Sequence, residues 1–171
     1  DHGDYLGDHS LSQKWSGYDE VVRVPAIVWK PGTIKAGQEV NSLCQQFDIS
    51  QTLLEMAEIQ LPASFESESV IEGLLGKSQS GREYVFAEQG GDGNLTDAQM
   101  VTMIRSAKWK MIHYAGEKFG QLFDLEKDPL EAKNLWDDSS YDSEKRSLQE
   151  ALLDWHIQSQ YRTRDWVSDY R

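Results

Sequence analysis

Residues 84–161 constrain the fold more than any other part of the chain. Four short apolar runs come first, then a helical pattern. Tyr84-Val85-Phe86-Ala87, Met100–Arg105, Lys110–Tyr114 and Leu122-Phe123 read as strands. Ser106-Ala107-Lys108-Trp109, between the second and third runs, predicts a hairpin. A Gly-rich segment, Gly90-Gly91-Asp92-Gly93, separates the first two. Beyond the runs, Leu148, Ala151, Leu152 and Trp155 recur at helical spacing, so an amphipathic helix is predicted over 143–161. Together these describe a small α+β subdomain of about four antiparallel strands with a C-terminal helix on one face. Leu148, Leu152 and Trp155 are expected to be buried against that sheet.

The first 62 residues have a different texture, that of an α/β domain. Val21–Trp29 is apolar without clean alternation, which suits a parallel strand covered on both faces. Lys30-Pro31-Gly32 then ends it with turn chemistry. A helix follows, with Asp48 as the expected N-cap and Gln51 closing a capping box. Ile49, Leu53, Leu54 and Ala57 fall on one face of it, and Leu61-Pro62 stops it. Residues 63–83 are polar and rich in Ser and Glu, as in a surface connection. The division expected is therefore 1–62, a segment of a large α/β catalytic domain; 63–83, a connection; and 84–171, the antiparallel subdomain with its helix.

Charge narrows the function classes. The formal net charge of −12 argues against non-specific nucleic-acid binding and against a polybasic membrane anchor. An anionic small substrate stays compatible, because local cations in a cleft reverse the field there. No run of 18 apolar residues occurs, so no membrane-spanning helix is predicted. Cys44 is the single cysteine; flanked by Leu43 and Phe47, it is expected to be a small core residue rather than a nucleophile.

The opening residues carry the chemistry. Adjacent Asp1 and His2 can present an oxygen and a nitrogen to one cation, and Gly3 lets the backbone turn away sharply. Two ligands are too few for a site, so further carboxylates must come from elsewhere. An active-site segment at residue 1 suggests the second half of an enzyme, whose first half would carry the rest of the site.

The wider pattern is more specific. Asp-His-Gly-Asp-x-Leu-Gly-Asp-His-x-Leu-x-x-Lys, followed by Tyr18-Asp19-Glu20 and Val22-Arg23-Val24-Pro25, closely resembles the sulfatase family of the alkaline-phosphatase-like superfamily. Phe47–Ala57 looks like that family's Asp-led helix, and Met103–Ile112 like its hairpin. Gln121–Glu131, with Asn134-Leu135, looks like its signature before the last helix. The match runs in order from residue 1 to about 136 and starts at the Asp-His-Gly motif, so the chain resembles the C-terminal portion of such an enzyme.

The resemblance implies a sulfuric ester hydrolase acting on a sulfated small molecule or carbohydrate. It assigns Asp1 and His2 as metal ligands and Lys14 as the catalytic ammonium that contacts sulfate oxygens. His9 and Arg23 are expected to support the site from behind. The implied metal is divalent, usually Ca2+; because imidazole suits Mn2+ or Zn2+ better, these are the alternatives. The family's nucleophile is a hydrated formylglycine, made from a Cys or Ser in a Cys/Ser-x-Pro-x-Arg motif. This chain has no such motif, so the N-terminal half of the same enzyme is an implied partner and the isolated chain is expected to be inactive. Where the family often carries Gly, this chain has Ser10 and Gln13, which is expected to alter the loop. Phosphonate monoester and phosphodiester hydrolases of the superfamily share the Asp-His and lysine pattern and form the nearest alternative. A non-catalytic scaffold or binding fragment is the other. Localisation is left open: periplasmic, secreted or lysosomal with a signal peptide on the parent, cytoplasmic otherwise.

Outside the opening, residues 88–99 have a cation-loop flavour but read as a surface loop, with a formal glycosylation sequon at Asn94. His113 and His156 read as structural. The tail from Tyr161 to Arg171 reads as a segment that docks back or meets a partner.

Overall fold

The protein is described by a computed structural model covering residues 1–62, 64–77, 81–90 and 98–164. The elements run in chain order α1 (Asp19–Val22), α2 (Gln46–Met56), α3 (Ile71–Leu74), β1 (Val85–Gly90), β2 (Met100–Arg105), β3 (Trp109–Tyr114), β4 (Gly120–Asp124) and α4 (Asp142–Thr163). They belong to two compact units, each built from two stretches of chain. One joins Asp1–Ile27 to Glu83–Arg146; the other joins Val28–Arg82 to Ser147–Arg171. All of the Gly-rich segment after Gly90, the Asn94 sequon and the end of the tail lie outside the described residues.

The four predicted strands form one antiparallel meander, in the order β1-β2-β3-β4. Its register pairs Met103 with Ile112 and Lys110 with Phe123. Ser106 makes the β2–β3 hairpin: its N–H donates to Trp109 O at 2.8 Å, and its Oγ accepts from Trp109 N at 2.9 Å. Side chains alternate between the two faces. One face carries Met103, Ile112, Tyr114 and Phe123, which pack with Ala98 and with Tyr18 and Val22 of the opening segment. The other carries Ile104, Met111 and Leu122, also fully buried. The outer edge of β4 is closed by Asn134, whose Oδ1 accepts Leu122 N–H and whose Nδ2 donates to Gly120 O. Gly120 is required there, since a Cβ would stand 2.5 Å from the Trp136 ring.

α4 covers the predicted helix, with Leu148 and Leu152 buried and Trp155 half-buried. It is 22 residues long, and no described helix is apolar enough to cross a membrane.

The first 62 residues depart from expectation in three places. Val21–Trp29 is not a strand: α1 ends at Val22, and the following segment has no regular secondary structure, with Ile27 91 % and Trp29 84 % exposed. A buried parallel strand needs neighbours on both edges, and none of the described residues pairs with it. The α2 cap lies three residues earlier than predicted. Gln45 is the N-cap and Asp48 is N3, and the two exchange the capping-box bonds. The side of α2 turned inward carries Asp48 and Thr52, while Leu53 is 54 % exposed. Cys44, expected in a core, is exposed. Its neighbours Leu43 and Phe47 are no guide, because the centre of this region is polar.

That centre is Asp48, fully buried. Arg82 clasps it through two bonds, Nε to Oδ2 at 2.8 Å and Nη2 to Oδ1 at 2.6 Å. Glu68 N–H and Gln45 N–H donate to the same carboxylate. Thr52 Oγ1 donates to Asp48 O and accepts Val70 N–H. This set ties α2 to the segment before α3, within what reads in sequence as a connection.

Candidate active site

The site segment is a loop folded onto itself and seated on α1. Gly3 N–H donates to Val21 O at 2.8 Å, Tyr5 N–H to Gln13 O at 3.0 Å and Gly7 N–H to Leu11 O at 3.1 Å. Leu6, His9, Ser10 and Gln13 all adopt positive φ, between 49° and 66°. Ser10 (59°) and Gln13 (66°) are the positions where glycine was noted as the commoner choice. Both side chains therefore sit on a left-handed backbone that glycine accepts freely.

Tyr5 anchors the loop from below. It is fully buried, and burial pushes its phenol up to about 12. Tyr18 lies edge-on to it at 6.0 Å and stacks on His9 at 4.0 Å. Tyr18 OH accepts from Gln121 Nε2 at 2.6 Å, and Tyr114 OH donates to Gln121 Oε1 at 3.1 Å, so the aromatic floor is bonded to β3 and β4. Gly17 passes close above the sheet, where a Cβ would lie 3.1 Å from Met103. His9 Nε2 also reaches Glu20 at 3.3 Å. His9 thus packs within the loop.

Asp1, His2 and Lys14 come together at the surface of this platform. Lys14 Nζ lies 2.8 Å from His2 Nε2, and Asp1 Oδ1 lies 3.7 Å from the same nitrogen. His2 Nδ1 lies 2.8 Å from Gly3 O. A carbonyl only accepts and an ammonium only donates, so both bonds form in one tautomer, with the proton on Nδ1 and the lone pair on Nε2. That is the tautomer a metal-ligating histidine takes. Asp1 Oδ1 and His2 Nε2 are spaced as two ligands of one cation can be, given bonds of about 2.0–2.5 Å. The donor set thus fits half of a divalent-metal site. Among the described residues no group of three or more His, Cys, Asp or Glu completes it.

Arg23 is largely exposed and touches Asp19 only at 4.0 Å. The buried pairing beneath the loop belongs instead to residues not singled out in the sequence. Lys110, 0 % exposed on β3, donates to Asp19 Oδ1 at 2.7 Å and to Glu131 Oε1 at 2.6 Å. Arg105 reaches both Asp19 oxygens, at 3.0 and 2.8 Å, and Asp19 N–H donates to Glu131 Oε2 at 3.2 Å. Burial opposes ionisation of Asp19, but Lys110 and Arg105 overcome it and hold its carboxyl below the usual range. For Glu131 burial dominates and raises the carboxyl, against the pull of Lys110. The signal was present in the strand register: Lys110 shares a face with buried Ile112 and Tyr114.

Residues 7–158 match the family described as N-sulphoglucosamine sulphohydrolase, C-terminal. The chain is 34 % identical over 165 residues to a Delta 4,5-hexuronate-2-O-sulfatase of Bacteroides thetaiotaomicron, which covers 92 % of this chain and 33 % of that protein. The solved structure of a 2-O GAG sulfatase superimposes with a TM-score of 0.82 at 29 % identity, covering 99 % of this chain and 36 % of the other. A phosphonate monoester hydrolase of Agrobacterium radiobacter gives 0.81 at 26 % identity, covering 92 % and 34 %. The chain spans about a third of the length of the curated relatives it matches. With most of its length inside the matched region, the chain belongs to the N-sulphoglucosamine sulphohydrolase C-terminal family and takes the sulfatase fold.

Proposed function

We propose that the parent protein hydrolyses sulfate esters, with a sulfated carbohydrate as substrate, and that this chain supplies Asp1 and His2 as metal ligands and Lys14 as the group that binds the sulfuryl oxygens. The observation that carries the reading is the meeting of Lys14 Nζ with His2 Nε2 at 2.8 Å, beside the Asp1 carboxylate. The carbohydrate is supported by the names of the hexuronate and GAG sulfatases above.

When bound, a divalent metal supplies Lewis acidity and lowers the pKa of a nucleophile beside it; calcium is the ion proposed here. Asp1 contributes negative charge to holding the cation. His2 contributes the Nε2 lone pair, with its ring aimed by the bond to Gly3 O. Lys14 now donates to that same lone pair. With Nε2 committed as a ligand, the Lys14 ammonium would be without this acceptor and would be available to an anionic ester beside it. There Lys14 offsets the charge on the sulfuryl oxygens as the S–O ester bond breaks. The nucleophile and the remaining ligands are assigned to the complementary part of the enzyme. The isolated chain should therefore show no turnover of an aryl sulfate above buffer.

In the full-length enzyme, Asp1→Asn and Lys14→Ala should each lower kcat/KM by about 10²-fold or more, the scale lost with one preorganised charge-stabilising group. Full activity in Lys14→Ala would remove its assignment. The phosphonate hydrolase likeness, at nearly the same TM-score, favours a second reading as a phosphonate monoesterase. Running an aryl sulfate beside a phosphonate monoester decides between the two, and a strong preference for the phosphonate moves the function there.

A further inference from the structure

The cluster of Asp19, Arg105, Lys110 and Glu131 invites a question of purpose. A buried lysine with two carboxylates is costly to desolvate, and well-packed apolar residues often serve stability as well or better. What the ion pairs add is a fixed placement. Lys110 and Arg105 project from β3 and β2, and both grip the carboxylate of the residue that opens α1. Glu131 holds the same residue by its backbone N–H. Asp19 is thus held at both its main chain and its side chain.

α1 in turn holds the Asp1–His2 pair. Val21 O accepts Gly3 N–H at 2.8 Å. Contact behind Gly3 is so close that a Cβ there would lie 1.9 Å from Glu20 O. The Gly3 carbonyl then orients the His2 ring. An unbroken line of bonds runs from the sheet, through Asp19 and α1, to the imidazole.

We propose that the buried Asp19–Arg105–Lys110–Glu131 cluster is a positioning device that sets the geometry of the Asp1–His2 half-site through α1 and Gly3. Its members are positioning residues, since the bonds that join them to one another reach the His2 ring only through α1 and Gly3. The proposal rests on reading Asp1 and His2 as metal ligands.

The test uses the full-length enzyme stripped of metal, titrated by calorimetry with calcium chloride and, in a second series, with manganese chloride. Asp19→Asn keeps the side chain's size and removes its charge. Metal affinity should fall about tenfold or more, as for the partners that orient a ligating histidine. Asp48→Asn is the control: it breaks another buried clasp, in the other unit, so it should lower Tm while leaving affinity within roughly threefold of wild type. Gly3→Ala attacks the same line from its far end with every ion pair intact, and should weaken binding by a similar tenfold factor. It carries the test alone if Asp19→Asn does not fold. Equal losses of affinity in Asp19→Asn and Asp48→Asn would make the cluster merely structural and overturn the proposal. Wild-type affinity in Gly3→Ala would overturn it too. Both outcomes leave the ligand assignment standing. Wild-type metal affinity in Asp1→Asn is the distinct result that removes the assignment, and the proposal with it.

Discussion

At the scale of single residues, the loop that bears the site stores strain where side chains occupy glycine-like backbone. Gln13 sits at φ 66° immediately before Lys14. A non-glycine residue there costs about 1–2 kcal/mol, part of which glycine gives back by losing more freedom on folding. Gln13→Gly should therefore raise stability by about 1 kcal/mol or less, read as a rightward shift of the urea midpoint with unchanged slope. His113 makes a second case. Its Nδ1 is buried with no hydrogen-bond partner among the described residues, and burial lowers the imidazole below its usual pKa of 6.5. The unfolded chain then takes up a proton before the folded one does. Stability is full above about pH 6.5 and falls as the pH drops through that value. In His113→Leu the fall of Tm between pH 7.5 and 5.5 should be shallower, and an identical slope would remove His113 as its cause. The meeting of Asp1, His2 and Lys14 was legible because the motif has fixed spacing. Lys110 was missed because a lone lysine in a strand reads as solvent-facing, although its alternation with Ile112 and Tyr114 put it on their face.

At the scale of elements, the four strands and α4 were readable from apolar runs, turn residues and helical spacing, all of them local signals. The segment around α2 was not, since its central clasp joins residues 34 apart in sequence, Asp48 with Arg82. An aspartate before an apolar run looks like a cap, and nothing local reveals that its carboxylate is taken by a distant guanidinium. Val21–Trp29 misled for a related reason: an apolar run signals burial, but the strand it suggests must be paired by something else. The Asp48–Arg82 clasp gives a sharp expectation. Arg82→Met leaves a carboxylate buried without its partner and should cost about 3–5 kcal/mol. The double change Asp48→Leu with Arg82→Met should recover part of that loss in denaturant unfolding. At the rim of the sheet, Gly120→Ala would drive a methyl into the Trp136 ring and should cost about 1–3 kcal/mol, with a change in tryptophan emission.

At the scale of the whole molecule, each unit is assembled from distant stretches of chain. α4 beyond Arg146 belongs with Val28–Arg82, and Ser159 Oγ donates to Glu66 Oε2 at 2.9 Å across that separation. A chain ending at Arg146 should keep amide protection in β2 and β3 and lose it around Thr52 and Val70 in hydrogen exchange; retained protection there would show that the helix is dispensable. The same layout bears on synthesis. Asp19 leaves the ribosome 112 residues ahead of Glu131, its partner in the buried cluster. At roughly 5–20 residues per second, the nascent opening segment waits about 6–22 s before its anchor has even been translated. Through that interval α1 and the loop it seats lack the buried carboxylate that holds them, so a chaperone that shields this stretch would act before the cluster closes rather than after it.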